Sequence, residues 1–238
     1  MSDRNRRHWE GVGAAYTAEW DPPARNRLGE RELDFIVAGL RASRGRTALD
    51  VGIGSGRILD GLLRRTEETV FAGVDIAEAM VQATRRRFAG EPRVRGLRVC
   101  DVAREPLPFA ERFDFVSAIR MLKYNETWRE MVAKLVDQLQ EGGVIVFSMS
   151  NARSLNVISR PYAVDGPDAT RADVRRLCER LDLDVLETAG FIKLPHFLYT
   201  RARSPHAARA VLAADGALER LIGGPPLARE IFVTARRS

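Results

Sequence analysis

From Thr47 onward, short continuous apolar runs alternate with stretches in which apolar residues recur every three or four positions. The runs are Thr47 to Val51, Val70 to Val74, Leu97 to Cys100, Phe115 to Ile119 and Val144 to Ser148, with a sixth inside Asp184 to Leu194 and a last at Glu230 to Thr234. Runs dominated by apolar residues read as strands buried on both faces, the condition met in a parallel sheet. Between them, Ile58, Leu59, Leu62 and Leu63 share one helical face, as do Trp128, Met131, Val132, Leu135, Val136 and Leu139, and Val174, Leu177, Cys178 and Leu181. Thr127 with Glu130 has the form of a capping box, and Gly142-Gly143 that of the same helix's stop. Ahead of the first strand, Trp9, Tyr16 and Trp20 fall near one helical face before Asp21-Pro22-Pro23, and Leu33, Ile36, Val37 and Leu40 mark an amphipathic helix ending at Ser43-Arg44-Gly45. The alternation predicts an α/β architecture without internal repeats.

The stretch from Thr47 to Ile58 reads TALDVGIGSGRI. A strand ends in glycines at alternate positions, Gly52, Gly54 and Gly56, and a helix starts at once, so free N–H groups face whatever lies over the loop. A dinucleotide fingerprint would space its glycines G-x-G-x-x-G. Here the third glycine comes one residue early, and Arg57 stands where it should be. Asp50 suits a ligand with an amino group better than a pyrophosphate. The plain alternative is a strand-to-helix turn whose glycines serve packing.

The stretch resembles the first motif of class I S-adenosylmethionine-dependent methyltransferases, hhxDhGxGxG. That resemblance implies glycines facing the methionine moiety and Asp50 holding its ammonium. GVDIAEAM, with Asp75 after the second strand, is similar to the family's second motif. Asp75 stands about 20 residues beyond the loop, where a carboxylate accepts from both ribose hydroxyls; Ile76 would pack on the adenine. A lone aspartate there also serves as a helix N-cap. Asp101 follows the third strand, where the family's acid accepts from the adenine amine and the next N–H, at Val102, meets a ring nitrogen. Ile119 closes the set from the fourth strand. The resemblance covers residues 45 to 151 and implies a Rossmann-like, seven-stranded, mostly parallel sheet with helices on both faces and an antiparallel last strand. It implies a helical lid over residues 1 to 44, forming one unit with a methyltransferase domain over 45 to 238, with Tyr16 covering the cofactor. Core packing is the plain reading of that aromatic stripe. About 30 residues separate the last two strands, where the family has a hairpin; they are candidates for a substrate wall or a dimer contact.

Composition changes this picture little. The chain has 238 residues, 45% hydrophobic, a length suited to one sizeable core. MSDRNRRHWE has no hydrophobic signal region and no apolar run approaches a membrane span, so a cytoplasmic protein is expected. Cys100 and Cys178 lack metal-ligand spacing. The net charge of +6 invites a nucleic-acid reading, but the basic residues are nearly all arginine, with Lys123, Lys134 and Lys193 the three lysines. Arg85-Arg86-Arg87 lies between apolar positions of a helix and reads as a solvated face.

The expected activity is metal-independent transfer of a methyl group from S-adenosylmethionine to oxygen or nitrogen of a small molecule, such as a specialised metabolite or sugar. RNA or protein methylation, and a regulatory protein that binds the cofactor without turnover, are the alternatives. For a hydroxyl acceptor the candidate base is His196, with His8 second and His206 expected at the surface. Tyr124 stands near the place of a family histidine and is a candidate for orienting the acceptor. Arg120 and Arg153 are candidates for pairing with an acidic one. The acids of metal-dependent catechol enzymes, the (N/D)PPY motif of DNA and RNA amino-methyltransferases and the cysteine of RNA cytosine C5 enzymes are missing after the fourth strand.

Overall fold

A computed structural model describes residues 3, 5–11, 20–154, 167–222 and 227–238. Seven strands form one sheet: β1 (Thr47–Val51), β2 (Val70–Asp75), β3 (Val94–Val99), β4 (Phe113–Ala118), β5 (Leu139–Ser150), β6 (Leu183–Phe191) and β7 (Glu230–Arg237). Their spatial order is β3-β2-β1-β4-β5-β7-β6. The first five pair in parallel, and β7 runs antiparallel between β5 and β6. The order reverses between β1 and β4, where an open α/β sheet leaves a crevice at its carboxyl edge.

Helices cover both faces. Leu33, Ile36, Val37 and Leu40 of α1 (Pro23–Ser43), Ile58, Leu59 and Leu62 of α2 (Arg57–Leu63) and Val81 of α3 (Glu78–Arg87) pack with Phe71, Phe115, Val146 and Phe232. On the opposite face Trp128, Met131, Val132 and Leu135 of α4 (Trp128–Asp137) and Val174, Leu177 and Cys178 of α5 (Arg171–Arg180) pack with Leu49, Val116, Ile145 and Val233. The later half of the expected lid is therefore a sheet-covering helix, because the apolar face of α1 is buried in the core. Short helical structure also spans 5–11. Among the described residues no helix is long and apolar enough to cross a membrane.

The residues between β6 and β7 form α6 (His196–Arg201) and α7 (Pro205–Ile222). Tyr199, Ala202, Ala208 and Leu212 close over Ala24 and Leu28 of α1. A buried polar group anchors them: Asp215 accepts from the Lys193 backbone N–H at 3.0 Å and from the Tyr199 hydroxyl, and Lys193 Nζ donates to the Gly190 carbonyl at 2.8 Å.

Three local expectations are corrected. Thr127 makes no side-chain cap; its backbone (φ −83°, ψ 24°) is a turn, away from the extended conformation a capping side chain needs. The reciprocal box forms instead at Thr170 and Asp173, opening α5. Gly142-Gly143 lies inside β5, in a bulge between Leu139 and Val144 as they pair with Phe113 and Phe115, with Gly142 at φ 72°. Strand β3 starts at Val94, because Gly96 (φ 71°) accommodates a second irregularity within it.

Gly39 sets how closely α1 approaches the sheet, since a Cβ there would collide with the Val146 side chain. Helix propensity alone makes Gly39→Ala favourable by about 1 kcal/mol. The tight contact is expected to reverse that sign, lowering stability by about 1 to 3 kcal/mol as read from the urea midpoint. A midpoint that rises would show room at the contact.

Candidate active site

The glycine loop leaves β1 with Gly52 at φ 77°, Gly54 at φ 53° and Gly56 at φ 82°, left-handed conformations that side chains with a Cβ rarely adopt. The Gly52 and Ile53 N–H groups donate to the Val74 carbonyl at 2.8 and 3.1 Å, and the Gly54 N–H donates to Asp75 Oδ2 at 2.9 Å. Asp75 Oδ1 accepts from the Ala77 N–H at 3.0 Å. Burial raises the Asp75 carboxyl above its ordinary range, against the hydrogen bonds from Ala77 and Gly54. Asp75 is therefore a brace between β2 and the loop, and the first turn of α3 is capped from elsewhere.

The cap comes from the N-terminal segment, where the Glu10 carboxylate accepts from the Glu78 and Ala79 N–H groups at 2.7 and 3.2 Å. In the same segment Asn5 is buried and donates to the Tyr124 carbonyl at 2.8 Å, and the Trp9 ring meets the Tyr124 ring edge-on at 5.3 Å. The periodicity of Trp9 hinted at this cover; Asn5 and Glu10 carry no pattern that separates them from ordinary polar positions.

Under that cover lies a cleft along the carboxyl edge of the sheet. Gly52, Gly54, Asp75, Ile76, Asp101, Val102, Ile119 and Tyr124 all line it, beside Asn5, Trp9 and Arg120. Asp101 is buried and accepts from the Ala103 N–H at 3.2 Å. A Cβ on Gly54 would meet nothing within 4 Å, so the loop leaves open space over it.

Asp50 and Gly56 stand outside this lining. Gly56 is the N-cap of α2. Asp50 lies fully buried on β1, where the Ser117 hydroxyl donates to Oδ1 at 2.7 Å and Oδ2 has no hydrogen-bond partner among the described residues. Burial outweighs the Ser117 bond and pushes its carboxyl up to about 6. A buried carboxylate oxygen without a donor suits a ligand that brings a positive charge.

His196 opens α6, half-buried and outside the cleft lining. Burial, reinforced by the charges of Arg25, Arg229, Arg120 and Lys123, lowers it to about 3, leaving a neutral and weakly basic imidazole. Arg153 is exposed, and Tyr16 lies outside the described residues. Arg120 follows β4 with φ 60°, its N–H donating to Ser148 Oγ at 2.8 Å. Its guanidinium pairs with Glu32 of α1 and with Glu230 of β7, the latter at 3.0 Å, and Lys123 Nζ reaches Glu230 at 2.6 Å. Both carboxylates are fully buried. Glu32 and Glu230 were not among the expected site residues, because a single acid in a helix or strand gives no sign of its partner. Among the described residues no three His, Cys, Asp or Glu side chains gather as a metal site.

Residues 48–143 match the model of a family described as a methyltransferase domain. That segment runs from β1 into β5 and takes in the glycine loop, Asp75 and Asp101. It is 29% identical over 145 residues to a ubiquinone biosynthesis O-methyltransferase of Alkalilimnicola ehrlichii, covering 58% of this chain and 57% of that protein. It is 29% identical over 149 residues to a malonyl-[acyl-carrier protein] O-methyltransferase of Halorhodospira halophila, covering 62% and 48%. The chain thus spans about half the length of these curated relatives. The crystal structure of magnesium protoporphyrin IX methyltransferase from Synechocystis PCC 6803 with bound SAH superposes with a TM-score of 0.68 at 16% identity, covering 98% of each chain. Its likeness concerns the fold.

Asp50 yields a pH-dependent expectation. A cation beside it lowers a carboxyl that otherwise titrates near 6, so binding releases a proton and tightens as pH rises from 5 to 7.5. Calorimetry with S-adenosylmethionine is expected to show this rise, levelling above pH 7. Asp50→Asn should weaken binding at pH 7.5 and flatten the profile. A profile that keeps its slope in the variant would place the titrating group elsewhere.

Proposed function

We propose that this protein is a class I methyltransferase that transfers a methyl group from S-adenosylmethionine to an oxygen or nitrogen of a small molecule in the cytoplasm, without a metal. The observation that carries the reading is the convergence of the glycine loop, Asp75 and Asp101 on one cleft, with Asp50 buried at the same edge of the sheet. In this reading Asp50 faces the cofactor's ammonium, Asp75 the ribose hydroxyls, and Asp101 with the Val102 N–H the adenine edge, with Ile76 against the ring. S-adenosylmethionine supplies the electrophilic methyl group.

The protein's part is position. Aligning acceptor, methyl carbon and sulfur contributes up to about 7 to 11 kcal/mol, so no elaborate catalytic group is needed. The turn from Arg120 to Tyr124 borders the reacting end, with Tyr124 orienting the acceptor. The segment containing Asn5, Trp9 and Glu10 serves as the cover. Its bonds to Tyr124 and to the start of α3 bridge the two ends of the cleft, so cofactor exchange requires them to open.

The test pairs calorimetry with mass spectrometry for the gain of one methyl group on a panel of hydroxyl, amine and acid acceptors. Asp75→Ala is expected to weaken cofactor binding by about 1 to 3 kcal/mol through lost hydrogen bonds. Unchanged affinity would remove Asp75 from the ribose role, and binding without turnover on any acceptor would favour a regulatory protein.

A further inference from the structure

Asn5 is 3% exposed and lines the cleft. Its carboxamide has a single allowed orientation, because a carbonyl only accepts and the Asn5 atom 2.8 Å from the Tyr124 carbonyl must therefore be the nitrogen. That nitrogen also faces Asn125 Oδ1 at 3.4 Å, and Asn125 is oriented in turn by donating from Nδ2 to the Met121 carbonyl at 3.2 Å. The remaining polar atom, Asn5 Oδ1, is buried and has no hydrogen-bond partner among the described residues. A buried amide oxygen left without a donor is unfavourable. It suits a ligand that brings an N–H or O–H into the cleft.

Position narrows which one. Asp3 pairs with Arg104 at 2.8 Å, and the Arg104 N–H donates to the Asp101 carbonyl at 2.9 Å, so Asp3 is fastened to the turn after β3. Asn5, two residues on, is fastened to the turn after β4. Asp101 and Val102 line the same cleft as Asn5, at the end read above as the adenine site. In that reading Asp101 takes one hydrogen of the exocyclic amine, on the side of the ring nitrogen that meets the Val102 N–H. The amine has a second hydrogen, on its other side, which still needs an acceptor.

We propose that Asn5 Oδ1 accepts this second hydrogen, so that the N-terminal segment reads the base as well as covering it. The proposal rests on the S-adenosylmethionine reading above and adds to it a specificity residue from outside the sheet. Tyr124 supplies the carbonyl that fixes the amide, and the amide oxygen meets the amine. A purine with an oxygen in place of the amine would present an acceptor to both Asp101 and Asn5, leaving buried acceptors facing one another. The segment therefore closes over an adenine nucleoside and discriminates against a purine that lacks the amine or has its hydrogens replaced.

The experiment is calorimetry on the full chain with S-adenosylhomocysteine and with its N6-methyl analogue, which keeps a hydrogen for Asp101 and lacks the one for Asn5. The parent is expected to bind the analogue about tenfold more weakly, and Asn5→Ala to weaken S-adenosylhomocysteine by about three- to tenfold while binding the two ligands within about threefold of each other. Glu10→Ala loosens the other end of the segment without touching Oδ1, so it should weaken both ligands by the same factor and keep the parent's preference. Equal binding of the two ligands by the parent overturns the proposal. So does an equal loss for both in Asn5→Ala, which would leave Asn5 holding the cover alone, or unchanged affinities with a raised KM for the methyl acceptor, which would give Oδ1 to that acceptor. Failure of the parent to bind S-adenosylhomocysteine at all instead overturns the cofactor reading, and this inference with it.

Discussion

The hydrogen bond from the Gly54 N–H to Asp75 Oδ2, 2.9 Å long, ties the two halves of the cleft together. It joins a loop that leaves β1 to an acid that ends β2, and parallel pairing of those strands brings the two ends side by side. The loop can donate that bond because glycines at three alternate positions take left-handed conformations. With Asp75 held from Gly54 and Ala77, the crevice at the strand reversal becomes a shaped cleft.

A second constraint operates on the other side of β1. Arg120 sits at φ 60°, a conformation that costs a non-glycine residue about 1 to 2 kcal/mol. It is held there by Ser148, Glu32 and Glu230, which belong to three different elements. Removing one partner of a buried ion pair costs roughly 3 to 5 kcal/mol, so the group couples α1, the turn after β4 and β7 more strongly than surface pairs would. The turn that borders the cleft is thereby fixed by residues far from it in sequence.

The segment between β6 and β7 has a comparable role. Its helices cover the start of α1 through Tyr199, Ala202 and Leu212, and the Lys193–Asp215 pair and the Tyr199 hydroxyl secure them. Since Arg25 lies in the first turn of α1 and His196 opens α6, this packing also brings the charge of Arg25 to bear on His196.

How much was legible in the sequence depended on whether a signal was local. The seven apolar runs, the glycine spacing and the acids near the carboxyl ends of β1, β2 and β3 are readable because strand burial and left-handed turns impose residue types at fixed short separations. The same reasoning misjudged Thr127 and Gly142-Gly143, where a turn backbone and a strand bulge overrode local preference. It ranked His196 first by type and position alone, since neither burial nor the charges of Arg25 and Arg229 can be seen along a chain. By itself the sequence determined the architecture and the edge of the sheet that carries the cleft. Only the tertiary structure decided that Asn5, Trp9 and Glu10 cover it and that Arg120 and Lys123 meet on Glu230, because such contacts join residues tens to hundreds of positions apart, and no periodicity records them.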